Sequence, residues 1–127
     1  MFKKLLILIL LGTFALNTSY SQNSVITNAL NTGNIASISA YIDVHVSITI
    51  LENENTYTKQ QAEMILKDFF TKHPSKSYAT VHEGTSPEGS KFTVGNLVTA
   101  TGNFRTFFLI KQKSSSFIIQ EIRFEAQ

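Results

Sequence analysis

The stretch Tyr57-Thr58-Lys59-Gln60-Gln61-Ala62-Glu63-Met64-Ile65-Leu66-Lys67-Asp68-Phe69-Phe70 decides how the rest of the chain is read. Thr58 and Gln61 stand in capping-box spacing, where hydroxyl and side-chain amide satisfy backbone donors reciprocally. Ala62, Ile65, Leu66, Phe69 and Phe70 then recur at the intervals of one face of an α-helix. Lys72 and His73 complement the negative end of the helix dipole, and Pro74 stops the helix. A helix with one wide aromatic face and one charged face needs a sheet or a second helix to lie on.

Downstream, the pattern changes period. Ser77 to Glu83, Lys91 to Thr101, Phe104 to Lys113 and Phe117 to Glu125 read as four strands of an antiparallel meander. Ser86-Pro87-Glu88-Gly89, Thr101-Gly102-Asn103 and Ser114-Ser115-Ser116 supply the turns between them, with a further turn at Gly84. Gly95, inside a strand pattern, marks a bulge or bend. Upstream, Val25, Ile26, Ala29 and Leu30 share a helical stripe, and Ile35, Ile38 and Ile42 mark a second short helix. Thr32-Gly33-Asn34 separates the two, with Gly33 suited to a C-terminal cap and Asn34 to the next N-cap. Val44, Val46, Ile48 and Ile50 alternate with polar residues as in a half-buried strand, and Glu52-Asn53-Glu54-Asn55 reads as a polar turn. The expected fold is α+β: two short N-terminal helices, a strand, a long helix, then a four-strand antiparallel meander forming a curved, cone-like sheet, all in one domain over residues 22–127. The late strands are apolar on both sides. Phe104, Phe108 and Ile110 lie on one, Phe107 and Leu109 on the other, so helices on one face leave the second for a partner or for the sheet's own curl.

Residues 1–21 read as a signal peptide. Lys3 and Lys4 form the basic start, Leu5 to Leu11 is an unbroken apolar run, and Ser19 and Ser21 are the small residues required before a cut at Gln22. The apolar run falls short of the roughly 20 residues that span a bilayer. The product is expected to be exported, periplasmic or secreted, and soluble, with no membrane association after cleavage. The chain has no cysteine, so it is neither a lipoprotein nor disulfide-stapled, and its core alone must stabilise it. Removal of Lys3 and Lys4 leaves nine of the 11 basic residues against nine acidic ones. Such a neutral surface offers no electrostatic footprint for nucleic acid.

With Thr32-Gly33-Asn34 ahead of the second short helix, the stretch from Tyr57 to Phe70, and Ile119-Gln120-Glu121-Ile122-Arg123 near the end, the chain resembles the nuclear transport factor 2-like superfamily, which includes the SnoaL-like polyketide cyclases and shares the cystatin-like cone. The nearest resemblance is to a family of uncharacterised secreted bacterial domains, domain of unknown function 4783, and it covers nearly all of residues 24–125. It implies a long helix lying in the concavity of a strongly bent antiparallel sheet. SnoaL-like enzymes use Asp and His in the cone, and no position here matches their motif, so no catalytic residue carries over.

The residues themselves point the same way. His45, His73 and His82 are scattered, without the spacing of a metal site, and neither metal nor other cofactor is expected. His73 reads as a helix C-terminal residue. Arg105 and Arg123, the only arginines, sit among phenylalanines and can pair with Glu121 or Glu125. The many phenylalanines read as core, and Ser114-Ser115-Ser116 has no identifiable base beside it. The expected function is a non-enzymatic binding module for a small apolar molecule or a protein partner, with a homodimer through the outer sheet face. The alternative is a small cone-fold isomerase or hydrolase in which His82 points into the cone as a general base and Arg105 holds an anionic substrate. His45 is the third ligand-binding candidate. Peptide mapping of the exported protein should place its first residue at Gln22; a full-length cytoplasmic product would overturn the leader assignment.

Overall fold

The computed structural model describes residues 22–127; the leader assigned to residues 1–21 lies outside them. The elements run α1 (Gln22–Thr32), α2 (Ile35–Ser39), β1 (His45–Ile50), β2 (Asn53–Thr58), α3 (Lys59–Lys72), β3 (Ser75–Thr85), β4 (Ser90–Thr99), β5 (Gly102–Lys113) and β6 (Ser116–Ala126). The strands form one six-stranded sheet in the order β2-β1-β6-β5-β4-β3. Strands β3 to β6 are the expected antiparallel meander. β1 joins its far side in parallel with β6, Ile48 opposite Ile122.

α3 starts as its sequence dictates. The Thr58 hydroxyl accepts from Gln61 N at 3.3 Å, and Gln61 Oε1 accepts from Thr58 N at 3.0 Å. Ala62, Leu66, Phe69 and Phe70 are buried and Ile65 is partly so. The Phe69 ring stacks on Phe124 at 4.1 Å and meets Phe104 edge-on at 5.1 Å, which ties the helix to β5 and β6. α1 lies over β3: its carbonyl at Leu30 accepts from the Ser75 hydroxyl, and Asn31 Oδ1 accepts from Tyr78 N at 2.8 Å. Gly33 ends α1 at φ +66°, in the left-handed region that favours glycine, and Asn34 caps α2. All three helices cover one face of the sheet, and Leu97, Phe104, Phe108, Ile119, Ile122 and Phe124 point into them.

Five local expectations are corrected. Asn53 to Thr58 is a strand rather than a turn with a short lead-in. It is polar throughout and only Tyr57 is partly buried, so no apolar alternation announces it. Its turn is Leu51-Glu52, with Leu51 at φ +57°, and carries no Asn-Gly signal. Gly84 lies within β3, not in a turn. The β4–β5 turn is Ala100-Thr101, with Gly102 already paired to Thr99. Val44 precedes β1 and is 65% exposed, whereas Val46 and Ile48 are core. β4 pairs with β5 without irregularity at Gly95, where the sequence predicts a bulge or bend; the bulge is in the partner strand, β3 carrying an extra residue between Thr80 and His82, opposite Gly95 and Val94.

Phe69 touches both the helix layer and two central strands. Phe69→Ala should cost about 3–5 kcal/mol in a denaturant titration; a loss below about 1 kcal/mol would mean that the site collapses around the gap.

Candidate functional site: the outer sheet face

Cross-strand register assigns each candidate to a face. His82 stands opposite Val94, Val94 opposite Phe107, Phe107 opposite Arg123 and Arg123 opposite Thr49. Phe107 alternates with buried Thr106 and Phe108, which face the helices, so this whole row lies on the face that the helices leave bare. His82 is therefore on the outer face and not in the cone, contrary to the premise of the enzymatic alternative. Arg105 is also on the outer face, between Asn96 and Glu125, and is exposed. His45 is on the same face but on β1, with β6, β5 and β4 between it and His82. It lines a shallow groove of about 350 Å³ with Asp43, Ser47, Thr56, Ile118 and Gln120. The fold does not bring the three candidates together. His73 caps α3, its N–H donating to Phe69 O at 2.8 Å and its ring lying between Phe69 and Phe104.

What the outer face does assemble is a run of rings. The Cζ end of the Phe92 ring lies over Gly84, where a Cβ would come within 2.2 Å of it. Its centroid is 5.5 Å from the His82 ring and 6.2 Å from Phe107. The Arg123 guanidinium sits 5.5 Å above Phe107 and is ion-paired to Glu121 through Nε. Leu109 and Ile118 continue the strip, and Phe92, Phe107, Leu109 and Ile118 are all half-buried. Arg105 beside Glu125 and Arg123 beside Glu121 give the strip both signs of charge.

The inner face is filled by its own side chains but carries one polar anomaly. Tyr78, 5% exposed, lies over Gly95, where a Cβ would fall 2.3 Å from its hydroxyl. That hydroxyl has no well-formed hydrogen bond. Burial pushes its ionisation above the ordinary phenol value, while neighbouring Thr80 and Thr106 hydroxyls work against the shift. Sequence reasoning missed Tyr78. The signal available was a large aromatic in β3 facing a strand interrupted by glycine. Among the described residues no three His, Asp or Glu side chains gather where they could hold a metal ion, and no helix is long and apolar enough to cross a membrane.

The family model for domain of unknown function 4783 matches residues 23–125. The chain belongs to that family. Its structure is similar to that of a DUF4783 protein from Bacteroides fragilis YCH46, with 27% identity and a TM-score of 0.75 over 80% of this chain and 95% of that one. A DUF4783 protein from Bacteroides uniformis ATCC 8492 is similar at 28% identity and a TM-score of 0.74, over 80% and 94% of the two chains. An NTF-2 like protein of unknown function from Silicibacter pomeroyi DSS-3 shares the fold at 9% identity and a TM-score of 0.61, over 83% and 89%. No curated protein matches the sequence. The resemblance read from the sequence is thus right for the DUF4783 family, and the fold is one shared with NTF2-like and cystatin-like proteins.

Tyr78→Phe removes a buried hydroxyl that has no well-formed hydrogen bond and only the Thr80 and Thr106 hydroxyls near it, so the urea midpoint should hold or rise. Because the folded-state ionisation lies above the phenol's usual 10.0, the neutral hydroxyl's contribution is whole below that pH and is lost as pH rises through the folded-state value. The wild-type protein should therefore lose stability in alkali that Tyr78→Phe retains; equal losses in the two would show that Tyr78 does not govern the alkaline limb.

Proposed function

We propose that the mature DUF4783 chain is an exported, non-catalytic interaction module, cut before Gln22, that pairs with a second copy of itself through the outer face of its sheet. The observation that carries this reading is the strip of Phe92, Phe107, Leu109 and Ile118, half-buried on a face that no described element covers. Contiguous apolar surface beyond a few hundred Å² is uncommon on soluble monomers and marks contact sites.

The second copy is favoured over a foreign partner by charge. The mature chain balances nine basic against nine acidic residues, and the strip itself alternates Arg105 and Arg123 with Glu125 and Glu121. A patch that carries both signs in alternation is complementary to its own two-fold image, and a two-fold contact is isologous by construction. The inner face, filled by Phe69, Leu97, Phe104 and Phe108, gives a small apolar ligand less support, and the placement of His82 and Arg105 on the outer face withdraws support from cone-based catalysis.

Sedimentation equilibrium of residues 22–127 at micromolar concentration tests the pairing, with about 1,200–2,000 Å² expected to be buried in total. Phe107→Glu should yield a folded monomer, because its side chain leaves only the outer strip. Phe108→Glu, by contrast, should unfold the protein by placing a charge in the core. A wild-type protein that is monomeric throughout would overturn the pairing.

A further inference from the structure

A two-fold contact through the outer face can be built about an axis along the strands or an axis across them, and the charges on the two central strands distinguish these. In the order β2-β1-β6-β5-β4-β3, β6 and β5 are the middle pair. β5 carries Arg105, Lys111 and Lys113 and no carboxylate, whereas β6 carries Glu121 and Glu125 against Arg123 alone. We infer that the axis runs along the strands between β5 and β6, so that Arg105 of each copy meets the partner's Glu125, and that these two residues determine which chains pair. This rests on the outer-face pairing proposed above.

Arg105 and Glu125 stand opposite each other across the β5–β6 ladder. Both alternate with buried residues of the inner face, Phe104 and Thr106 for the one and Phe124 for the other, and both are exposed. Among the described residues neither side chain has an ion-pair partner, whereas Arg123 is already held by Glu121. Half a turn about an axis between two strands lays each over the other's copy, so cross-strand neighbours become contacts between the two chains. Arg105 then lies over the partner's Glu125, and symmetry repeats the contact. An axis across the strands lays β5 on β5 instead, where Arg105 finds no carboxylate and Lys111 only adds like charge. Covering an unpaired charge is costly, which favours the first arrangement. It also keeps the strands of the two sheets roughly aligned, as in face-to-face sheet packing.

The surroundings of Glu125 suit a guanidinium. Glu125 and Ala126 of β6, with Leu51, Glu52 and Asn53 at the β1–β2 turn, line an open cavity of about 690 Å³. Leu51 is 48% exposed there and offers an apolar wall to the methylenes of an arginine, while Glu52 supplies a second carboxylate beside Glu125.

The test is sedimentation equilibrium of residues 22–127 carrying Arg105→Glu or Glu125→Arg. Each reversal alone sets like charges against each other in the pair and should raise the dimer dissociation constant at least about tenfold. The urea midpoint of the monomer should stay near that of wild type, because both side chains are exposed. Mixed in equal amounts, the two variants should pair with each other, both contacts being remade. One chain carrying both reversals should again pair with itself. Variants that pair as tightly as wild type, or that fail to pair with each other while wild type does, would overturn the axis and leave the outer-face contact standing. A wild-type protein that is monomeric throughout would overturn the outer-face reading and this inference together.

Discussion

The packing of Phe69 against Phe124 and Phe104 is the contact on which the architecture depends. It joins a helix whose face is set by local spacing to strands that lie 35 and more residues further along the chain. Phe70 adds an edge contact to Phe124, and His73 meets Phe104 edge-on, so the last turn of α3 ends in an aromatic cluster. In a chain with no cysteine, this burial must offset the conformational entropy of closing such long loops. Once α3 is seated, one face of the sheet is determined as core and the other is left to solvent or to a partner.

Two glycines show how the faces are finished. Gly95 accepts the Tyr78 ring on the inner side, and Gly84 accepts the Phe92 ring on the outer side. In each case an aromatic from the neighbouring strand covers a position without a side chain, which lets the strand bend yet remain packed. The bulge between Thr80 and His82 adds to that bend and interrupts β3, one edge of the sheet. β2, the other edge, is protected by polarity and brevity: six residues, nearly all exposed, carrying Glu54. Both edges are thus blunted against strand addition.

That face is stabilised by contacts that are individually small. Arg123 over Phe107 and the Arg123–Glu121 pair are partly exposed, and such interactions contribute about 0–1 kcal/mol each. Their effect is to hold the rings in one arrangement. A rigid aromatic strip loses little side-chain entropy when it is covered, which is the property a contact surface needs.

The sequence by itself determined the helices and the meander, because capping, 3.6-residue spacing and turn chemistry are local signals. Thr58 to Phe70 specifies α3 almost to the residue, and Gly33 and Asn34 place the break between α1 and α2. The family likeness was also legible, since it rests on those same stretches. Strand β2 was not, because an edge strand needs apolar groups on at most one side and Tyr57 alone supplies them. Which face each candidate residue occupies was decided only by tertiary structure. Strand alternation groups His82 with every second neighbour, but an irregularity of one residue reverses that grouping, and β3 has such an irregularity beside His82. The contact of Tyr78 with Gly95 likewise depends on register between two strands, and so does the alignment of His82, Phe107 and Arg123 across four. No local pattern encodes these, because each is set by how helices and strands far apart in the chain settle against one another.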